Sequence, residues 1–115
     1  MARAAISTTS IPDTGYNFTD GTGTTLSTGA GNGGEIDYDA NTRIYLTNPT
    51  GGSSTWTIKI PTPTSYSALS VTIPDMSITI AAGKTYVLKP AAVSRQADGK
   101  VYIDCSVAGK LLVLN

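Results

Sequence analysis

The stretch TWTIKIP at residues 55–61 decides the fold class, because its apolar and polar side chains alternate without a break. The apolar set is Trp56, Ile58 and Ile60, and the polar set is Thr55, Thr57 and Lys59. Successive side chains of a β-strand point to opposite faces, so this period of two predicts a strand with one buried and one exposed face.

The same alternation recurs in LSVTIP at residues 69–74, where Val71 and Ile73 carry the apolar face. After Pro74 and Asp75 its phase shifts by one position. The apolar face is then carried by Met76, Ile78 and Ile80. A bend or bulge at residues 74–75 would absorb this slip, since one extra residue otherwise turns every side chain to the wrong face.

Turn signals punctuate the remaining apolar runs. They lie at residues 81–84, 97–99 and 107–109, each with a glycine that can supply a positive φ. The runs EIDYDA and TRIYLTN look like a strand pair joined near Asn41. About eight or nine short strands at this spacing are typical of an all-β sandwich or barrel. Helix is expected at most as one turn near residues 91–94.

The segment DGTGTTLSTGAGNGG at residues 20–34 differs from the rest of the chain. It is rich in Gly and Thr and offers only Leu26 for burial, so packing can hardly offset the entropy of ordering it. We therefore expect residues 1–34 to form an N-terminal arm and a mobile Gly/Thr-rich loop. Residues 35–115 are expected to form the β-sandwich domain.

The composition argues against several partners. Formal net charge is zero and charged residues make up 14% of the chain, so neither a basic face for nucleic acid nor a polybasic membrane anchor is expected. No apolar run reaches the roughly 18 residues of a membrane span. These observations predict a protein made in a cytoplasm. The single Cys105 alternates with Val101, Ile103 and Val107, which predicts a buried, unreactive thiol.

Enzymatic chemistry is not expected. The chain contains no histidine, which removes Ser-His-Asp and Cys-His catalysis and His-ligated zinc. The string AAGKT resembles the end of a phosphate-binding loop, but that loop needs a glycine at position 78, where Ile78 stands. Residues 81–84 are instead predicted to form a β-turn. No catalytic, cofactor-binding or metal-binding residue is assigned.

One cation site remains open as an alternative. Glu35, Asp37 and Asp39 project from one side of a predicted strand. Calcium usually draws six to eight oxygens from sharply turned loops, whereas neighbouring carboxylates on one strand lie roughly 6.5 to 7 Å apart. A solvated strand that resists aggregation is the favoured interpretation.

Aromatic residues raise a second alternative, a platform on which sugars stack. Trp56 shares a face with Ile58 and Ile60, so burial in the core is favoured over exposure. Four tyrosines lie inside alternating strands, where the ring is commonly buried with its hydroxyl at the rim. They are Tyr38, Tyr45, Tyr86 and Tyr102.

From residue 39 to the end, the order of elements resembles that of the capsid decoration proteins of tailed bacteriophages, also called cement or head auxiliary proteins. The resemblance rests on RIYLTNPT, STWTIKIPTP and VTIPDMSITIAAGKTYVLKP, followed by ADGKVYIDCS, a glycine turn and a closing apolar strand. The region before residue 39 matches nothing in that pattern.

The resemblance implies a small antiparallel β-sandwich, similar to a jelly roll, on the exterior of a virion capsid. Such a protein would bridge neighbouring major capsid subunits, and related shells suggest a trimer. On this hypothesis the partner is the major capsid protein and residues 1–34 are the expected contact. Deleting residues 1–30 is then expected to abolish lattice binding and to leave the sandwich folded.

Two outcomes would favour other hypotheses. An accessible Trp56 indole would favour a carbohydrate-binding or adhesive module of a phage tail or fibre. A deep polar cleft would contradict the account of an inert structural protein. The residues that would converge in it are Glu35, Asp37, Lys84 and Asp104.

Overall fold

The computed structural model describes residues 3–11, 23–29, 31–62, 65, 68–70 and 73–115. Within these residues the chain forms nine strands, and Ala92–Ser94 forms a single turn of 3-10 helix. The strands are β1 Ala4–Ala5, β2 Thr24–Thr25, β3 Gly34–Asp37, β4 Arg43–Thr47, β5 Ser54–Ile58, β6 Met76–Ile80, β7 Thr85–Leu88, β8 Lys100–Cys105 and β9 Lys110–Leu114. The all-β prediction is confirmed, and so is the helical turn near residues 91–94, but Ser65 and Ala68 are also helical, which the sequence did not predict.

The strands form two sheets packed face to face. The first, sheet A, has the order β1-β3-β8-β5-β6, and the second, sheet B, has the order β2-β9-β4-β7. Strands β2 to β9 thus follow the order of an eight-stranded jelly roll built from two Greek keys. Every pairing between named strands is antiparallel except that of β1 with β3, which is parallel.

The core lies between the sheets, where alternate side chains of both inner faces meet. Trp56 at its centre is completely buried, and its indole Nε1 donates a hydrogen bond to Ser54 Oγ over 3.0 Å. The buried apolar cluster contains Leu26, Ile36, Ile44, Leu46, Trp56, Ile58, Ile78, Ile80, Val101, Ile103, Cys105, Leu111 and Val113. The alternation in residues 55–61 therefore predicted the buried face of β5 correctly.

The expected pair of strands around Asn41 is wrong. Strands β3 and β4 are joined by a tight turn in which the Thr42 amide donates to the Asp39 carbonyl over 3.0 Å, but they lie in different sheets. β3 pairs with β8, while β4 lies between β9 and β7. In a jelly roll many successive strands cross from one sheet to the other, so a short connection does not imply a hairpin.

The predicted strand at residues 69–74 is also wrong where the structure describes it. Leu69 and Ser70 form a turn, with Ser70 at a φ of 59°, and Ile73 lies outside any strand. Val71 falls outside the described residues. Because Met76 lies at the start of an edge strand, it is 41% exposed rather than part of the core, whereas Ile78 and Ile80 are buried.

The bend or bulge predicted at Pro74 and Asp75 is not needed, because these residues lie outside any strand just before β6 and no strand among the described residues directly precedes them whose phase must shift. Asp75 accepts hydrogen bonds from the Ile60 amide over 2.8 Å and from Lys59 Nζ over 2.6 Å. The hydrogen bond from Lys59 is the main cause that lowers the pKa of the Asp75 carboxyl. This carboxylate ties the chain entering β6 to the end of β5.

The turn at residues 81–84 is confirmed. The Lys84 amide donates to the Ala81 carbonyl over 3.1 Å, and Gly83 has a φ of 70°. This turn joins β6 of sheet A to β7 of sheet B. The string AAGKT thus connects the two sheets between β6 and β7 and does not precede a helix.

The described part of residues 1–34 differs from the expected arm and loop. β1 extends sheet A, β2 pairs with β9, and Leu26 is buried in the core at 2% exposure. Residues 9–11 run beside the end of β9, where the Thr9 amide donates to the Val113 carbonyl over 2.8 Å. These residues belong to the sandwich, and the predicted loop at residues 20–22 and 30 lies outside the described residues.

Candidate functional site

The two sides of the sandwich are built differently. The closed side carries β1 and β2, which lie at the edges of their sheets, together with residues 9–11. The open side carries β6 and β7, which are the opposite edges.

On the closed side, Asp104 is the best-connected carboxylate of the described chain. Arg3 binds it with both arms of its guanidinium, Nε to Oδ1 over 3.1 Å and Nη2 to Oδ2 over 2.7 Å. The amide of Gly31 donates to Oδ2 over 3.1 Å, and that of Gly33 donates to Oδ1 over 3.2 Å. Four donors thus converge on two oxygens of a side chain that is almost completely buried.

The surroundings of Asp104 favour its ionised form. Burial is the largest single influence and opposes ionisation, but the bonds from Arg3, Gly31 and Gly33 together outweigh it and lower the pKa of the carboxyl. Asp104 is therefore a carboxylate at neutral pH with its acceptor positions filled. Such a group holds segments together and is poorly suited to act as a general base.

Gly33 makes this arrangement possible. A Cβ atom at this position would lie 2.0 Å from the Ile103 carbonyl oxygen, so only glycine lets the chain approach β8 closely enough. The same approach brings the Gly33 amide to Asp104, which follows Ile103 in β8. The Gly/Thr-rich composition therefore reflects close backbone packing here.

Arg3 also contacts an aromatic ring. Its guanidinium carbon lies 4.5 Å from the centre of the Tyr102 ring, a cation–π distance. The Tyr102 hydroxyl donates to Asp98 over 2.6 Å, which raises the pKa of Tyr102 and lowers that of Asp98. This contact extends the Arg3 cluster to the turn at residues 97–99.

A shallow groove of about 300 Å³ lies beside Asp104 on the outer face of sheet A. It is lined by Gly29, Thr55, Thr57, Lys59, Asp104, Cys105 and Ser106. Most of its lining surface is apolar, and its hydroxyl groups come from Thr55 and Thr57 of β5 and from Ser106 after β8. Because the Asp104 oxygens are bonded to Arg3 and the Lys59 ammonium group is bonded to Asp75, the polar groups that the groove offers to a ligand are mainly hydroxyls.

The convergent polar cleft that would have contradicted the structural account does not form. Asp37 pairs with Lys100, and Asp104 pairs with Arg3. Lys84 lies in the turn between β6 and β7, and Glu35 lies on β3 opposite Tyr102. Three of these residues thus lie on strands of sheet A, and Lys84 lies apart from them in a turn.

The predicted carboxylate row does not gather into a cation site. Asp37 is exposed beside Lys100, while Asp39 accepts hydrogen bonds from the Asn41 amide over 2.9 Å and from Asn115 Nδ2 over 3.2 Å. Glu35 is half-buried on β3. Among the described residues no three Asp, Glu, Cys or His side chains come together as metal ligands do.

Cys105 and the aromatic residues are placed much as the sequence predicted. The Cys105 thiol is buried, and burial raises its pKa. Its Sγ lies 3.6 Å from the Ser27 carbonyl oxygen. Trp56 is inaccessible to a sugar, whereas Tyr86 is 40% exposed at the edge of sheet B, against the expectation of ring burial.

On the open side, large apolar side chains reach solvent. Met76, Tyr86, Val87 and Val93 are between 40% and 56% exposed. An apolar crevice of about 140 Å³ opens here between the two sheets, lined by core residues and by Met76, Leu88 and Val93. Exposed apolar surface next to a crevice is typical of a contact with another protein.

The sequence interpretation missed the partners of Asp104. Arg3 and the glycines of residues 29–34 lie about 70 to 100 positions away along the chain, and no periodicity links them. One local signal was present, because Asp104 interrupts the apolar run of β8. A carboxylate between Ile103 and Cys105 indicates that hydrogen-bond donors or a cationic side chain lie beside it on the outer face of the sheet.

No helix among the described residues has the length and apolar character needed to cross a membrane. Comparison with known protein families, with characterised proteins and with solved structures found no match to this chain.

Proposed function

We propose that this chain is a structural protein of a tailed-bacteriophage virion, which binds the outer surface of the capsid and bridges neighbouring major capsid subunits. The observation that carries the proposal is the open side, where apolar side chains are exposed and β6 and β7 end their sheets without a further strand among the described residues. The resemblance of residues 39–115 to capsid decoration proteins supports it. The jelly roll is a fold of viral capsid domains, although it also serves lectins, so the fold alone does not decide between them.

The physical requirements of such a protein agree with this chain. A single domain is stable by only about 5 to 15 kcal/mol, but binding that engages only the assembled lattice adds stability through mass action over many copies. The bound protein contributes contact area rather than chemistry. Oligomerisation as a trimer and a location on the capsid exterior are parts of the same proposal.

We place the contact with the capsid on the open side and not on the N-terminal segment. Residues 3–11 and 23–29 supply β1, β2, Leu26 and the Arg3 ion pair to the sandwich. Deleting residues 1–30 would remove these elements and expose the core between the sheets. We therefore expect that deletion to unfold the domain, so it cannot report on lattice binding.

The test is cosedimentation with empty capsid shells prepared from the phage genome that encodes the chain. We expect the wild type to sediment with the shells and Val93→Asp to bind at least about tenfold less well, as for a residue central to an interface. Thr55→Asp, on the outer face of sheet A, is the matched control and should bind normally. Failure of the wild type to bind, or a genome without a capsid gene, would overturn the proposal.

A carbohydrate-binding or adhesive module is the second candidate. The hydroxyl-lined groove beside Asp104 favours it, because sugar hydroxyls exchange hydrogen bonds with Thr and Ser side chains. The buried Trp56 does not supply a stacking surface. Titration with host-surface glycans, monitored by the NMR signals of Thr55 and Thr57, separates the two: shifts confined to the groove would favour this candidate, and unchanged spectra would count against it.

A further inference from the structure

We propose that β7 binds an extended segment of a partner protein by strand addition, and that this segment is apolar in its middle and acidic at both ends. The inference deepens the proposed function and rests on it in one respect, that the natural partner is a protein. It names the element that makes the contact and the chemistry of the segment that it takes.

The backbone of β7 is available for pairing. Within the described residues β7 pairs only with β4, so every second residue directs its N–H and C=O away from the sheet. Thr85, Tyr86 and Val87 are exposed, so no part of the chain that the structure describes covers this edge. The edge of β6 is less free, because Asn48 Nδ2 donates to the Ile80 carbonyl over 3.0 Å.

The strand lacks the features that protect edges. Exposed edge strands are commonly shortened or carry proline or charged residues, which discourage a further strand. β1 and β2 are only two residues long. β7 reads TYVL, with three residues of high β propensity before the leucine and no charge or proline among the four.

The crevice gives the added strand a place for a side chain. It opens beside Leu88 at the end of β7 and is lined by apolar groups from both sheets, including Met76 and Val93. Strand addition generally combines main-chain hydrogen bonds with pockets for alternate side chains. An apolar residue on the inward face of the added strand would fill this space.

The charges at the two ends of β7 select the partner. Lys84 and Lys89 are exposed and flank the strand, and neither forms an ion pair within the part of the chain that the structure describes. In a centred antiparallel pairing of two copies, Lys84 would face Lys89 of the other copy. A parallel, in-register pairing of two copies would place each lysine opposite the same lysine of the other copy. Like charges directly opposite destabilise a pair of strands, so an acidic-ended foreign segment fits better than a second copy.

The experiment uses the whole protein and four synthetic peptides. The first alternates valine and threonine over five residues between two pairs of glutamates. The second has lysines in place of the glutamates. The third and fourth keep the glutamates and carry N-methyl groups on every second amide. In the third peptide the methylated amides lie on one edge of the strand, and in the fourth they lie on the opposite edge. Binding is measured by isothermal titration and by the NMR amide signals of residues 84–89.

We expect the glutamate peptide to bind with shifts centred on residues 85–88, and the lysine peptide to bind at least about tenfold more weakly at low salt. One of the two methylated peptides should lose binding, because one edge of the added strand must donate to β7. The double variant Lys84→Glu/Lys89→Glu should reverse the preference between the charged peptides. Arg95→Glu/Lys110→Glu, with the same change in net charge, should leave it unaltered.

Several results would overturn the inference. They are no binding of the glutamate peptide, equal binding of both charged peptides, full binding of both methylated peptides, and self-association through β7 in sedimentation. Shell binding separates the two proposals. If Lys84→Glu/Lys89→Glu binds capsid shells as the wild type does, strand addition at β7 is wrong while the capsid proposal stands; if the wild type does not bind shells, the capsid proposal fails.

Discussion

The closed and open sides of the sandwich differ in how far their edge strands are protected from pairing with another chain. On the closed side, two-residue strands and residues 9–11 line the sheets, and the Arg3–Asp104 pair fixes β1 to β8. On the open side, β6 and β7 end the sheets with apolar side chains in solvent. The difference predicts that substitutions on the closed side change mainly the stability of the domain, whereas substitutions on the open side change mainly the proposed binding of a partner.

The largest effect is expected from Asp104→Ala on the closed side. Removing one partner of a buried ion pair typically costs about 3 to 5 kcal/mol, because the other partner is left uncompensated. Here Arg3 and the amides of Gly31 and Gly33 would all lose their acceptor. Urea unfolding measures the change in the free energy of unfolding.

Asp37→Ala is the matched control for that prediction. It removes an exposed carboxylate paired with Lys100, and such surface pairs contribute little to stability because solvent screens them. Equal losses in the two variants would mean that the closed side is not held by Asp104.

Gly33→Ala is expected to cause the next largest loss in the free energy of unfolding. Its Cβ would lie 2.0 Å from the Ile103 carbonyl oxygen, so β3 and β8 must separate locally. We expect a loss of about 1 to 3 kcal/mol, as for other overpacked positions. Gly51→Ala meets no atom within 4 Å and should leave stability nearly unchanged in the same unfolding assay. A Gly33→Ala protein as stable as Gly51→Ala would disprove the close approach.

Acid should weaken the closed side through Asp104. Its pKa is lowered in the folded protein, so the unfolded state takes up the proton first as pH falls. The stabilisation is therefore complete above the unfolded value of about 3.9 and is lost as pH drops through the folded value. Urea unfolding between pH 7 and pH 2.5 should show a smaller acid loss in Asp104→Asn than in the wild type. Parallel pH curves would contradict this role.

The smallest change in stability is expected on the open side, from Val87→Lys. Val87 is 51% exposed, and substitutions at such positions usually alter stability by less than about 0.5 kcal/mol. Lysine on an edge strand discourages strand addition, so shell and peptide binding should fall although folding does not. A variant that unfolds more easily, or that binds normally, would remove the distinction between the two sides.

The sequence predicted the parts of the fold that depend on neighbouring residues. The alternation around Trp56 predicted β5 and its buried face, and the glycine turn at residues 81–84 was located because its backbone requirement is local. Sheet membership was not predictable in this way. β3 and β4 are separated by a few residues yet lie in different sheets, because pairing is decided by contacts across the whole domain.

The closed side was the least predictable part for a related reason. A low apolar content predicts a mobile segment, but Leu26 and Gly33 each act through contacts with β8 or with the core. The bond between Arg3 and Asp104 joins residues 101 positions apart, for which the sequence carries no period or motif. The open side was easier to anticipate in part, since TYVL reads as a strand, but its exposure depends on being the last strand of its sheet.

The central claim is that the open side makes the contact with the capsid while the closed side holds the fold. Amide hydrogen exchange of the protein, free and bound to capsid shells, tests it most directly. The account predicts new protection at residues 85–88 in the bound state, with exchange at residues 4–5 and 34–37 unchanged. Protection that appears on β1 and β3 and leaves β7 unaltered would contradict it.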